Sequence, residues 1–425
     1  MGTHYNMGRH MKPTKALRRK ELAAAISLLL TVPAFALAQD QADADQQAAE
    51  DDMIAEEVIV TGIRRGLMNS VDIKGTSTSI VEAISAEDIG KLPDVSITDS
   101  LARLPGVTAQ RLNGRSQVLS VRGLGPDFTT ALMNGRPQVS SGDNRGVEFD
   151  QYPSEMISQA VVYKTPDAQL MGQGLAGTVD MQTIRPLEYG KEALVVNARY
   201  IWNDIAALND DADDTGWRGS VTWVDQFADD TFGVALGIAY ADTPTQSERF
   251  NAWGYPDVDG NAVIGGAKPY AQSNELERTG IIGTVEWQIS DRVNTSLDLY
   301  YTEFDETQKL RGIELPLQWS SAALQPGYSV EDGLITEGVF TGVKGVMRND
   351  INFRESELTA FGWNIQWDLN DQWILSGDAS YSSIDRTDRI LETYSGTGPN
   401  GEEVFDTMGF QMRNGAGALF SSSLD

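Results

Sequence analysis

The residue types that most often perform catalysis are scarce in this chain. Its two histidines, His4 and His10, precede an apolar run near the N-terminus, and its 425 residues include no cysteine. If that N-terminal segment is removed, no imidazole base and no thiolate or imidazole metal ligand remains. The sequence also has no G-x-S-x-G nucleophile motif and no phosphate-binding glycine loop. We therefore expect no catalytic residues, no cofactor and no transition-metal site, and we do not expect an enzyme.

Two acidic loops have a composition that suits calcium, which binds several carboxylate oxygens. They are Asp257–Asn261 and Asp210–Asp214. Neither has the full ligand spacing or a terminal glutamate in register, so we expect plain acidic loops and no metal. The formal charge of −28 argues against nucleic acid as a partner, because phosphate binding needs the opposite sign.

Residues 1–38 have the pattern of a secretory signal peptide. Six basic residues precede the apolar run Leu22–Ala36, and Ala36-Leu37-Ala38 offers a small-x-small cleavage site. The alternative is a membrane anchor, but about 15 apolar residues broken by Pro33 are too few to span a bilayer. We expect the mature chain to begin near Gln39.

The next residues predict a flexible lead into a short strand. Residues 39–55 are acidic, rich in alanine and glutamine and without aromatics, which predicts a disordered tether. Residues 56–62 are a β-branched run closed by Gly62. This run is either an ordinary first strand or a peptide that pairs with the sheet edge of another protein, and its N-terminal position favours the second.

Residues 63–190 predict a compact α+β domain. Ser85 is a candidate N-cap, with Asp88 at the third helical position, and Ser96–Leu104 has helical spacing before Pro105-Gly106. Asn134-Gly135 predicts a tight hairpin turn. The predicted strands are Gln117–Arg122, Ala131–Met133, Ile157–Lys164 and Thr178–Thr183.

Residues 191–425 alternate apolar and polar side chains with a period of two. The apolar set ends in aromatic residues, which is typical of lipid-facing barrel strands, although a soluble β-sandwich would alternate as well. No other window has the 18 apolar residues of a spanning helix, so a membrane location requires a barrel. The predicted fold is mainly β: an N-terminal α+β plug domain followed by the first strands of a transmembrane antiparallel β-barrel, incomplete in this chain. Seven segments carry the pattern: Leu194–Trp202, Trp217–Trp223, Phe232–Tyr240, Thr279–Ile289, Val293–Tyr301, Thr359–Leu369 and Trp373–Tyr381.

Short and long connections alternate between these segments. The long, polar ones are Asn203–Thr215, Asp242–Leu276, Phe304–Ser356 and the residues after Ser382. Short turns on one rim and long loops on the other are typical of bacterial outer-membrane barrels. The plug domain would then enter from the periplasmic side.

Several motifs follow one another in a fixed order between Glu56 and Pro186. They are Glu57-Val58-Ile59-Val60-Thr61-Gly62, Leu104–Val107, Val121–Phe128, Leu132–Arg136, Val147–Glu155, Val162–Ala168 and Gly174–Asp180. Together they resemble the TonB-dependent outer-membrane receptors, the first motif being similar to the TonB box and the others to plug motifs. Val147–Glu155 and Val162–Ala168 resemble the branch abundant in Xanthomonas-like and Caulobacter-like bacteria, several of whose members take up oligosaccharides.

This resemblance implies an importer in outer-membrane lipid. TonB would pair with Glu57, Val58, Ile59, Val60, Thr61 and Gly62, driven by the inner-membrane ExbB and ExbD complex. We expect an oligosaccharide as cargo, with a ferric siderophore as the alternative; a passive plugged porin is a further alternative. The family has 22 barrel strands, whereas this chain shows seven and the beginning of an eighth, which leads us to expect a fragment or a truncated product. The short tether disfavours a signalling domain.

The resemblance also implies roles for plug residues. Arg122 and Arg136, beside glycines, would hold the plug through charge contacts with the barrel wall, with Glu148 and Glu155 as further partners. The alternative for each arginine is a solvated surface position. Ligand contacts are expected from plug loops Gln110–Ser116, Gly125–Thr130 and Ser140–Gly146 and from the outer loops, although turn residues and loop packing would explain the same side chains. The candidates are Arg111, Asn113, Arg115, Asp127, Asn144, Arg145, Trp253 and Tyr255, with Tyr270, Trp319 and Tyr328 as further aromatic surfaces.

Overall fold

The computed structural model describes residues 66–86, 96–168, 170, 173–396, 404–413, 415 and 417–424. These residues belong to one compact unit, Thr61–Asp425. The predicted signal peptide, tether and TonB box lie outside the described residues, as does most of the helix predicted after Ser85. Ser85 itself is the last residue of a strand. None of the described helices is long and apolar enough to cross a membrane.

The plug domain is built on a five-stranded sheet and a separate hairpin. The sheet order is β1-β6-β7-β4-β5, antiparallel except between β4 and β7, and the hairpin pairs β2 with β3. Short 3-10 helices lie at Pro126–Phe128, Phe149–Gln151 and Ser154–Met156, and residues 66–76 are helical. The strands are β1 (Val81–Ser85), β2 (Val107–Leu112), β3 (Arg115–Val121), β4 (Thr129–Met133), β5 (Arg136–Pro137), β6 (Gln159–Tyr163) and β7 (Gly177–Gln182).

The helix predicted at Ser96 is present but shorter than expected. It spans Ile97–Leu101, and the Ser96 hydroxyl accepts a hydrogen bond from the Asp99 amide at 3.1 Å, which satisfies one of the free N–H groups of the first turn. Ile97 and Leu101 are buried in the main core. Turn geometry replaces the helix after Leu101, ahead of Pro105-Gly106, which cannot continue it.

The predicted Asn134-Gly135 turn connects β4 and β5. Both residues have positive φ angles, 52° and 77°, as a type I′ hairpin requires, and Met133 pairs with Arg136 across it. A second short helix, Pro186–Tyr189, ends at Gly190 in the left-handed conformation and leads out of the plug domain.

The seven predicted long strands form one antiparallel sheet, which we call the wall. The strands neighbour one another in chain order, and a three-residue strand, β20 (Tyr394–Gly396), also pairs with the wall. The prediction of a mainly β fold with a plug domain and barrel strands is confirmed. The seven strands are β8 (Ala193–Trp202), β9 (Thr215–Phe227), β10 (Phe232–Ala252), β13 (Gly266–Ser290), β14 (Val293–Pro316), β18 (Val346–Asn370) and β19 (Trp373–Leu391).

One face of the wall is apolar and exposed, and the other meets the plug. On β10, Leu236 and Ile238 are about half exposed, whereas Ala235, Ala239 and Ala241 are buried. Aromatic residues end the exposed stripes, as Trp202, Trp217, Trp287 and Trp373 show. This arrangement matches the predicted lipid-facing set.

The predicted long loops were wrong in extent. β10, β13, β14 and β18 have 21 to 25 residues and run deep into the expected loops, because their polar residues pair strand to strand without a break in register over most of their length. The short turns after Phe227, Ser290 and Asn370 are as predicted.

A second small sheet, absent from the sequence prediction, caps the long hairpins. Its order is β11-β12-β17-β21-β22, with β15 and β16 also paired to β17. It has its own core, which includes Ile264, Leu317, Phe340 and Phe410. Its strands are β11 (Asp257–Val258), β12 (Asn261–Ala262), β15 (Ala323–Leu324), β16 (Ser329–Glu331), β17 (Leu334–Val343), β21 (Asp406–Arg413) and β22 (Gly417–Ser421).

Candidate functional site at the plug and wall

The β4–β5 turn directs Arg136 into the wall. Its side chain is 7% exposed and contacts Asp298 on β14 and Asp378 on β19. Nε and Nη2 donate to Asp378 at 3.0 and 2.9 Å, and Nη1 donates to Asp298. Burial lowers the pKa of Arg136, but the hydrogen bonds that it donates to Asp378 and Asp298 outweigh this effect and raise the pKa, so the guanidinium stays charged. The plug is therefore attached here by a buried arginine between two carboxylates.

Asp298 also contacts other donor groups of the plug. Arg185 Nη1 lies 3.2 Å from its Oδ1, and Asn134 Nδ2 donates to the same oxygen at 3.2 Å. Thr284 of the wall adds a donor at 3.1 Å. These partners offset the cost of removing most of this carboxylate from water.

The segment around Glu148 and Glu155 makes a second set of contacts. Glu155 lies 2.7 Å from Arg218 on β9 and 3.9 Å from Arg278 on β13. Glu148 accepts a hydrogen bond from Ser141 at 2.6 Å and lies 3.4 Å from Arg354 on β18. Both glutamates therefore contact arginines of the wall.

Arg115 lies in this contact and not at an exposed loop tip. Its guanidinium is buried between Asp150 of the plug and Glu306 of β14, each at 2.8 Å, with Phe304 5.5 Å away. Burial raises the pKa of Asp150 to about 6, although the positive charge of Arg115 opposes the shift. The expectation that Arg115 contacts ligand from a loop tip is thus corrected. Its place at the start of a strand gave no local signal of a partner 191 positions away.

Arg122 differs from the other plug arginines. It is exposed, adopts a positive φ of 53° and donates to the Ala176 carbonyl at 3.3 Å, a contact within the plug. The structure thus favours the surface alternative for Arg122. Wall residues that sequence reasoning missed include Asp298, Glu306, Arg354 and Asp378, because nothing in their local sequence indicates a partner on the plug.

The remaining ligand candidates lie on plug loops and long hairpins. Arg111 is exposed and pairs loosely with Asp99 at 3.4 Å, and Arg145 is exposed. The Asn113 carbonyl accepts from Asn274 of the wall at 2.7 Å. Asp127 and Asn144 both accept from the Gly146 amide, at 3.1 and 3.0 Å, which ties two predicted plug loops together. Arg111 and Arg145 are therefore exposed candidates for ligand contact. Asn113, Asp127 and Asn144 make hydrogen bonds within the protein.

Trp253 borders a cavity of about 540 Å³ near the ends of β10 and β13. Lys268 Nζ lies 5.1 Å from its ring. On β10, Arg249 and Asn251 have the same parity as the plug-facing Ala235 and Ala239, so the cavity opens on the lumen face. Tyr255 is 47% exposed nearby in the chain. The lining residues are Arg249, Asn251, Trp253, Lys268, Tyr270 and Glu314.

Carboxylates of both acidic loops contact other groups of the protein. Asp211 pairs with Arg311 at 2.8 Å, Asp257 accepts from the Gly260 amide at 3.1 Å, and Asp259 accepts from Tyr328 at 3.0 Å. Within the described ranges, no group of three or more potential ligand side chains is placed to hold a metal ion.

A domain held by buried ion pairs against strands whose other face is apolar and exposed is the arrangement expected of a plugged outer-membrane barrel protein. Comparison with known proteins agrees: a family model, TonB-dependent Receptor Plug Domain, matches residues 74–179. The chain carries the plug domain and barrel strands of a TonB-dependent outer-membrane receptor, and its location is the outer membrane.

Several relatives are receptors of this kind. The ferric enterobactin receptor PirA of Pseudomonas aeruginosa is 28% identical over 200 residues, which cover 42% of this chain and 26% of that protein. The ferrienterobactin receptor of Escherichia coli K12 is 30% identical over 173 residues, 36% of this chain and 21% of that protein. The chain thus matches about a quarter of the length of these relatives. The solved siderophore receptor PiuA from Acinetobacter baumannii aligns over 81% of this chain and 60% of its own, with 9% identity and a TM-score of 0.40.

Proposed function

We propose that this protein imports a ferric siderophore across the outer membrane with energy supplied through TonB. The observation that carries the proposal is the plug domain itself, held on the lumen face of the wall by Arg136 and Arg115. A plug fixed by buried ion pairs blocks passive flow, and breaking such pairs is costly, so its release requires work. TonB, powered by ExbB and ExbD, would supply that work.

TonB would act on the plug through the segment Glu57–Gly62. In our proposal it pairs with TonB as an added strand, where main-chain hydrogen bonds give affinity. It precedes β1, an edge strand of the plug sheet. Residues 66–76, which are helical, lie between the segment and β1, so tension on the segment would reach this edge strand through the helix.

The proposed cargo is the alternative of the sequence analysis and not its first choice. The sequence favoured an oligosaccharide, but both relatives above are named for ferric enterobactin. The lumen cavity is lined by two cations, Arg249 and Lys268, and two aromatic rings, Trp253 and Tyr270, although Lys268 pairs with Glu314 at 2.5 Å. Cations with aromatic rings suit an anionic, ring-bearing chelate better than a neutral glycan.

Uptake by the full-length gene in a receptor-deficient strain tests the proposal. We expect cells to accumulate radiolabelled iron supplied as a ferric siderophore, and deletion of Glu57–Gly62 to abolish accumulation. Accumulation of a labelled oligosaccharide without iron would reverse the cargo. Uptake that survives the deletion would instead indicate a passive porin.

A further inference from the structure

A glycine of the wall lies directly beneath the Arg136 guanidinium. A Cβ atom added at Gly362 on β18 would lie 2.3 Å from Nη1, 2.6 Å from Cζ and 2.7 Å from Nε of Arg136. These separations are far shorter than any normal carbon contact, and they involve the planar head of the side chain. In this position, any residue other than glycine would displace the guanidinium.

The neighbours of Gly362 on the adjacent strands complete the arrangement. Gly362 pairs with Asp298 on β14 and with Ser380 on β19. Asp378 lies two residues before Ser380 and is held by a hydrogen bond from Asn364 Nδ2 at 3.0 Å. β14, β18 and β19 are neighbouring strands of the wall. Gly362 lies on the middle strand, and the two carboxylates that bind Arg136 lie on the strands to either side.

We propose that Gly362 is the positioning residue of the plug attachment. The Asp298–Gly362–Asp378 seat accepts a flat guanidinium that donates to a carboxylate on each side, a geometry that an ammonium cannot reproduce. One part of this role rests on the proposed function: during transport, the seat would determine how readily TonB releases the plug. The seat itself is a property of the docked plug.

The direction of the effect separates this role from ordinary strand stability. Glycine weakens a strand interior, so alanine at a glycine with free space stabilises it or leaves it unchanged. At Gly362 the methyl group would lift the guanidinium from both carboxylates. The Gly362→Ala change should therefore loosen the plug while the wall remains folded.

Labelling of a single introduced cysteine tests the seat. These 425 residues contain no cysteine, so Val139→Cys adds a thiol beside the attachment, where the Val139 amide donates to Ser382 Oγ at 3.4 Å; any cysteine elsewhere in the full-length receptor is first replaced by serine. In outer-membrane preparations of the full-length receptor, Gly362→Ala should raise the maleimide labelling rate about tenfold, as expected when a buried pair is partly broken. The matched control is Gly377→Ala on β19, where a Cβ would meet only Ile365 Cγ2 at 3.5 Å. Its rate should match the parent.

A double-mutant comparison excludes an unspecific effect. Arg136→Ala alone should also raise labelling, and adding Gly362→Ala should change nothing further, because no guanidinium remains to be displaced. An unchanged rate in Gly362→Ala, or a further rise in the double variant, would overturn the proposal. A difference in gel mobility between heated and unheated samples shows that the wall of each variant is folded. If labelling behaves as expected but iron uptake is absent in the parent, the transport proposal fails and the seat stands.

Discussion

At the scale of single residues, two buried plug arginines are each shared between carboxylates. Arg136 lies between Asp298 and Asp378, and Arg115 lies between Asp150 and Glu306. Buried pairs often add little net stability, yet removing one partner is expensive because the other charge stays buried. Such pairs suit a plug that must have one docked position and must leave it only under force.

Replacing Arg115 with leucine should destabilise the docked plug by about 3–5 kcal/mol, because Asp150 and Glu306 would lose their counter-charge. The measurement is the denaturant concentration at which protease first cleaves the plug in membrane-embedded receptor. Arg111→Leu is the control, since its exposed pair with Asp99 at 3.4 Å should contribute less than about 1 kcal/mol. Equal effects of the two changes would contradict the buried pairing of Arg115.

At the scale of elements, the β4–β5 hairpin is the part of the plug that carries Arg136. β5 has two residues, lies at the edge of the plug sheet and depends on the Asn134-Gly135 turn for its direction. The Gly135 amide also donates to Asp180 at 2.8 Å. A short edge element of this kind can separate from the sheet without breaking the plug core.

Gly135→Ala should strain this turn by about 1–2 kcal/mol, because its φ of 77° lies in the left-handed region. We expect faster proteolysis within the plug and lower uptake, both read in the full-length receptor. Gly125→Ala is the matched control: its φ is −61° and an added Cβ would meet nothing within 4 Å. If both variants behave like the parent, the hairpin conformation does not control docking.

At the scale of the whole molecule, the wall has two different rims. The turns after Phe227, Ser290 and Asn370 are short, whereas the opposite ends carry the capping sheet with its own core. The lumen cavity lined by Arg249, Lys268 and Trp253 lies toward the capped end. In the proposed function, ligand is recognised at the capped end, and the short turns lie at the opposite end.

The polarity predicts which turns a reagent reaches in intact cells. A cysteine at Gly260, a turn of the capping sheet, should react with a membrane-impermeant maleimide from outside. A cysteine at Asp229, in the short turn after Phe227, should react only after the outer membrane is permeabilised. Labelling of Asp229 in intact cells would reverse the orientation.

The local features of the protein are visible in its sequence. Period-two alternation located all seven wall strands, since successive side chains point to opposite faces and one face must be apolar. Asn134-Gly135 was identified as a turn because few residue pairs accept two positive φ angles. The ordered plug motifs gave the family. Each of these signals depends on neighbouring residues alone.

Tertiary structure alone decided which charges meet. Arg115 and Arg122 lie seven positions apart, yet one is buried against β14 and the other is exposed, because strand β3 and the turn after it direct them differently. The partners of Arg136 lie 162 and 242 positions away, in strands whose register is set by pairing along their whole length. The capping sheet likewise arises from segments far apart in the chain. Such contacts leave no local periodic signal, so the sequence determined the elements and the three-dimensional pairing determined the site.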